Sequence, residues 1–167
     1  MKNAASLLLS LLLRLERGVL AVGYFGITML LLLDVLGREF TGKGLFGANI
    51  YATNILIYTA MAGFGLATAT GGHLRPRMAD RLVPVALLPL AIRAGQLASA
   101  AILVVIAAAA VQFVVSTWDF AETNQVTGLP LWPIQAALPI GFGFSALRHC
   151  IYAAWPDLAP QEKDGPE

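Results

Sequence analysis

Few side chains in this 167-residue chain have chemistry to offer: His73, His149, Cys150, and, within or beside apolar stretches, Asp34 and Arg93. Zinc takes three or four ligands at tight spacing, and neither histidine begins an HExxH-type pattern. One cysteine excludes a disulfide within the chain and a multi-thiolate metal site; Cys150 is expected to be a passive residue near a helix end. Two imidazoles facing each other across a membrane bundle can hold a haem. His73 and His149, however, each close an apolar segment beside Arg75 and Arg148, where capping of a helix end or contact with a headgroup is expected. Nucleotide signatures of the GxxxxGK[ST] and GxGxxG types are absent. The chemistry points to no catalytic set, no metal site and no resident cofactor.

The elements that carry these residues are apolar and long. The chain is 57% hydrophobic and 13% charged, against about 25% charge in ordinary soluble domains. Residues 44–74, 94–118 and 123–147 contain no Asp, Glu, Lys or Arg, and about 20 apolar residues span a bilayer as a helix. The expected fold is an all-α integral membrane protein with four transmembrane helices and a short N-terminal interfacial helix. The expected spans are about 19–36, 50–70, 88–115 and 130–147, within a four-helix domain over 18–152. An N-terminal arm occupies 1–17 and a cytoplasmic tail 153–167. Gly37 is expected to stop the first helix, Gly71 and Gly72 to cap the second, and Pro139 to bend the fourth. Pro84 and Pro89 mark the lead-in to the third. For the arm, Leu7 to Leu13 followed by Arg14, Glu16 and Arg17 suggests a helix lying at headgroup depth. A helix continuous with the first span and a cleaved signal are the alternatives.

Orientation follows from Lys and Arg in the short flanks. Lys2, Arg14, Arg17, Arg75, Arg77, Arg81, Arg148 and Lys163 fall on one side of this scheme, and Arg38 and Lys43 on the other. That bias of eight to two puts both termini in the cytoplasm. Trp118, Trp132 and Trp155 fall at the expected interfaces. The net charge of +1 comes with no basic face, so nucleic acid is not an expected partner.

A transporter needs ionisable groups or broken helices near mid-membrane, and this chain is poor in both. Arg93 has three readings: snorkelling to headgroups, a contact at a subunit interface, or substrate binding. Asp34 is either an interfacial carboxylate or the partner of a group on another helix. Asn54, Gln96 and Gln112 can join helices by hydrogen bonds. Small residues around Gly63, Gly65, Gly141 and Gly143 offer surfaces for close helix approach, within the unit or against a larger partner. On these grounds the chain is an accessory or scaffold subunit.

Local motifs add a resemblance over nearly the whole chain. They are Leu33-Asp34-Val35-Leu36-Gly37-Arg38-Glu39-Phe40 at the end of the first span and Phe46-Gly47-Ala48-Asn49 opening the second. Gly72-His73-Leu74-Arg75 then leads to Asp80-Arg81-Leu82. The fourth span carries Leu129-Pro130-Leu131-Trp132-Pro133 and Leu138-Pro139-Ile140-Gly141-Phe142, followed by Arg148. In order and spacing these resemble the small membrane subunit, Q-type or DctQ-like, of tripartite ATP-independent periplasmic (TRAP) transporters. The chain departs from that pattern at Ile50-Tyr51-Ala52-Thr53, where the family often has a tryptophan or an acidic pair, and in the wider spacing of His73 and Asp80.

The resemblance implies a non-catalytic scaffold subunit of a sodium-coupled importer of an organic acid in the bacterial inner membrane. A large M-type subunit would hold the substrate and sodium sites, and a periplasmic binding protein would deliver the substrate. Asp34, Arg38, Asn49, His73, Arg75, Asp80, Arg81, Arg93 and Arg148, with the four glycines, are the candidate contacts to subunits or lipids. The rival readings are a membrane-anchor subunit of a respiratory or redox complex, and a small self-assembling channel or exporter.

Overall fold

The computed structural model describes residues 2–71 and 87–160. Five α-helices carry the described chain: α1 (Lys2–Thr41), α2 (Ala48–Thr70), α3 (Leu88–Asp119), α4 (Trp132–Gln135) and α5 (Ala137–Ala154). A 3-10 turn, Pro156–Leu158, succeeds them. The sole strand-like feature among the described residues is an isolated bridge between Thr123 and Pro130. The described residues form an all-helical fold, and α1, α2 and α3 are each long and apolar enough to cross a membrane.

α1 is one unbroken helix of 40 residues, about 60 Å long at 1.5 Å per residue. No break separates residues 2–17 from the rest of α1, so the leucine-rich arm is continuous with the first long helix, as in the continuous-helix alternative. Gly37 does not stop α1. A mid-helix glycine costs only about 1 kcal/mol relative to alanine, and Thr28 and Thr41 bond back to the carbonyls of Tyr24 and Gly37. Termination comes at Gly42, whose φ of 71° fits a left-handed C-terminal stop and whose N–H reaches the Arg38 carbonyl at 3.0 Å.

α2 lies between two left-handed glycines, Gly47 (φ 72°) and Gly71 (φ 74°), and the Gly71 N–H caps the Ala67 carbonyl. Its threonines at 53, 59, 68 and 70 return their hydroxyls to carbonyls of the preceding turn, which satisfies polar side chains in an apolar helix. α3 starts with Pro89 in its first turn, where no helix bond needs the missing N–H. The expected fourth span is divided at Ala136 into α4 and α5. Pro139 is the third residue of α5, in a turn whose N–H groups need no intrahelical partner, so the interruption falls at Ala136, before the proline. The segment between α3 and α4 is built rather than slack. The Asn124 side chain accepts from the N–H groups of Val126 and Thr127, and Asn124 N–H bonds to Leu129 O at 2.8 Å.

The helices pack in the order α1–α2–α5–α3. α1 and α2 are antiparallel. α2 and α5 run the same way, with Tyr58 donating to the Pro133 carbonyl and Phe64 edge-on to Phe142 at 5.5 Å. α5 and α3 are antiparallel, with Trp118 edge-on to Trp132 at 4.8 Å. The two outer helices share no substantial contact among the described residues. The result is a row of helices with broad apolar faces. Its accessible surface is 11295 Å², against about 7,900 Å² expected for a compact soluble protein of this mass.

Candidate functional site

The residues of α1 that are buried are Ala5, Leu12, Glu16, Gly23 and Asp34. Their spacing of seven, four, seven and eleven keeps them on one stripe, of which Glu16 and Gly23 meet α2 at Gly65 and Thr59. Two of the five are carboxylates. They lie eighteen residues apart, which is five helical turns and about 27 Å, close to the roughly 30 Å of a bilayer's hydrocarbon.

At one end, Glu16 meets Arg148 of α5. Arg148 is 0% exposed and Glu16 5%. The guanidinium donates through Nη1 to Oε1 at 3.1 Å and through Nη2 to Oε2 at 2.9 Å, the parallel two-bond geometry that arginine makes with carboxylates. A third donation, from Nη1 to the Gly65 carbonyl of α2 at 2.6 Å, joins the middle helix to the pair. Gly65 is also the space in which Glu16 sits: a Cβ there would stand 2.6 Å from the carboxyl carbon of Glu16. One arginine thus ties α1, α2 and α5 together. Ser145, one turn earlier on α5, is 0% exposed beside this tie.

At the other end, Asp34 is 4% exposed. Its partner is on its own helix: Arg38 donates to Oδ2 at 2.6 Å, and the Leu45 N–H of the following loop donates to Oδ1 at 2.7 Å. Gly44 lets the loop fold over this carboxylate, since a Cβ would lie 2.6 Å from Arg38 Nε. Asp34 therefore closes the α1–α2 connection, and the partner on another helix that the sequence allowed is not used.

Close helix approach falls at three glycines. Besides Gly65, Gly141 of α5 faces Met61, whose Cβ would lie 3.0 Å from an added Cβ, and Gly23 of α1 faces the buried Thr59. Gly63 has only an ordinary 3.7 Å contact with Leu20, and an added Cβ at Gly143 would meet nothing within 4 Å. Asn49 is exposed in the first turn of α2, and Arg93 is exposed near the start of α3, in a cleft with Trp155 and Asp157. His149 is partly buried with Nδ1 2.5 Å from Gln96 Oε1 of α3. His73, Arg75, Asp80 and Arg81 lie outside the described residues.

Lys2 pairs with Asp157 at 2.9 Å, bringing the start of α1 to the turn after α5. That contact holds the Asp157 carboxyl below its ordinary range, chiefly through the hydrogen bond from Lys2. No group of three or more His, Cys, Asp or Glu gathers among the described residues in a metal-binding arrangement.

Glu16 escapes a reading of the sequence as a site residue, because it stands between Arg14 and Arg17 and looks like part of a headgroup-level charged turn. The available signal is its register: Glu16 falls on the same helical face as Asp34, away from both neighbouring arginines. No curated protein matches the chain. The sequence model of the DctQ component of tripartite ATP-independent periplasmic transporters matches residues 27–159, which covers Asp34, Gly65 and Arg148, all of α2 to α5 and the last part of α1, while Glu16 precedes the match. With four-fifths of its length accounted for in this way, the chain belongs to the DctQ family, the small membrane subunits of TRAP transporters.

Proposed function

We propose that this chain is the non-transporting scaffold of a sodium-coupled importer of an organic acid. It spans the inner membrane four times, with α4 and α5 forming the last crossing and both termini in the cytoplasm. A large M-type subunit carries the substrate and sodium sites and docks on an apolar face of the helix row, and a periplasmic binding protein supplies the substrate. The observation that carries this reading is the state of the buried charges: Glu16, Asp34 and Arg148 are all paired within the chain. Intramembrane charges that serve transport face a cavity or pathway; Glu16 and Arg148 face each other, and Asp34 is held by Arg38 and the Leu45 N–H. The Lys2–Asp157 contact supports placing the two ends on one side, and the eight-to-two arginine and lysine bias supports the cytoplasm.

The test is co-purification of tagged chain in mild detergent, followed by reconstitution. A many-span partner should be retained, and organic-acid uptake should require that partner, the binding protein and a sodium gradient. Flux through the chain alone would establish the self-assembling channel, and a haem band at roughly 400–430 nm would establish the redox anchor.

A further inference from the structure

A shallow, open groove of about 650 Å³ runs along the seam of α1 and α2. Its lining is mainly apolar, from Leu15, Val19, Val22 and Ile55; the hydroxyls of Tyr58 and Thr59 are committed to carbonyls, and Arg14, at one end, is the one charged lining residue. The groove exists because α1 presents no side chain at Gly18, where an added Cβ would meet nothing within 4 Å, and approaches Thr59 closely at Gly23. Arg14 is exposed and has no ion pair among the described residues. Its neighbour Glu16 is turned inward and committed to Arg148. Arg14 lies about 3 Å along the axis from Glu16, and Val22 about 12 Å further toward the other end of α1.

We infer that this groove is a binding site for an anionic phospholipid. The phosphate sits on the Arg14 guanidinium, which suits phosphate oxygens, and one acyl chain lies along the groove between α1 and α2. Charge decides the occupant. A lipid places its anion at Arg14 and its hydrocarbon over Gly18 and Val22, matching the groove end for end. An apolar helix laid over the same residues would bury the arginine without a counter-charge, which is strongly unfavourable in hydrocarbon. The inference needs only that the chain is embedded in a membrane, and does not depend on the scaffold reading.

The test uses the full chain in mixed micelles with equal phosphatidylglycerol and phosphatidylcholine, with retained lipid weighed by mass spectrometry after gel filtration. One lipid per chain should remain, enriched about fivefold in phosphatidylglycerol, the effect of one arginine near a membrane surface. Arg14→Gln should bring the ratio to about one, while Arg17→Gln, outside the groove, should leave it unchanged. Gly18→Phe should lower retention of either lipid with no loss of thermal stability, since a Cβ at this position meets nothing within 4 Å. Lack of enrichment in the wild type, equal effects of Arg14→Gln and Arg17→Gln, or full lipid retention by Gly18→Phe would each overturn the site. So would a protein partner that Gly18→Phe displaces while lipid content stays the same.

Discussion

Arg148 and Glu16 stand 132 positions apart in the chain and meet in a two-bond pair that neither water nor lipid reaches. The pair is worth most as a junction, because the same guanidinium also holds the Gly65 carbonyl. Removing one partner leaves the other charge buried, at about 3–5 kcal/mol. We therefore expect Arg148→Leu and Glu16→Leu each to lower the thermal midpoint in detergent steeply. The double variant Glu16→Leu/Arg148→Leu should recover most of the loss, since no lone charge remains. Equal loss in the single and double variants would show that the charges themselves do not govern the junction.

Gly65 and Gly143 form a matched pair for testing close approach. Gly65→Ala thrusts a methyl into Glu16 and should cost about 1–3 kcal/mol. Gly143→Ala meets open space and should stabilise α5 by up to about 1 kcal/mol, through helix propensity alone. Chemical unfolding of the two variants in the same detergent reads both signs.

Asp34 should govern the first loop rather than the helix row. Asp34→Asn keeps an acceptor for the Leu45 N–H but loses the charge opposite Arg38; Asp34→Ala loses both. Amide exchange at Leu45 should rise modestly in the first variant and by at least about tenfold in the second, if that hydrogen bond is worth the usual 1.5 kcal/mol or more for a charged partner. Exchange at Thr59 should be unchanged in both, and a rise there would mean that Asp34 supports α2 itself.

The Lys2–Asp157 contact gives a pH dependence of known sign. The carboxyl of Asp157 is held below its ordinary value of 3.8 in the folded chain. Its contribution is therefore present above that value and lost as pH falls through the lower folded value. Carboxyl carbon NMR should show Asp157 titrating below 3.8 in the wild type and returning toward that value in Lys2→Gln. Raised salt should act in the same direction, since the pair is exposed.

How much of this was legible in the sequence depended on the kind of signal. Charge-free runs located α2 and α3 within a few residues, because a lipid-spanning helix excludes charge over a fixed length. Gly71 marked the end of α2 because its left-handed φ closes the helix there. Gly37 misled because glycine is only a weak breaker, and the true stop at Gly42 came after Arg38 and Glu39, which looked like loop. The inner tie was hidden for a different reason. Glu16 and Arg148 each occupy a charged flank in one dimension, and only the register of α1 against α2 and α5 turns both inward.

The packing order α1–α2–α5–α3 also has a consequence in time. α1 and α2 are neighbours in the chain and can pair as they emerge, but α3 is made before α5, the helix it packs against. Glu16 likewise precedes its counter-ion by 132 residues, roughly 7–26 s of synthesis at 5–20 residues per second. During that interval the first hairpin sits in lipid with an unanswered carboxyl on its inner face. Chains arrested before Arg148 should accordingly be cleared by membrane proteases faster than chains arrested just after Trp155. Synthesis of α5 is then the step that joins the α1–α2 hairpin and α3 into one packed unit.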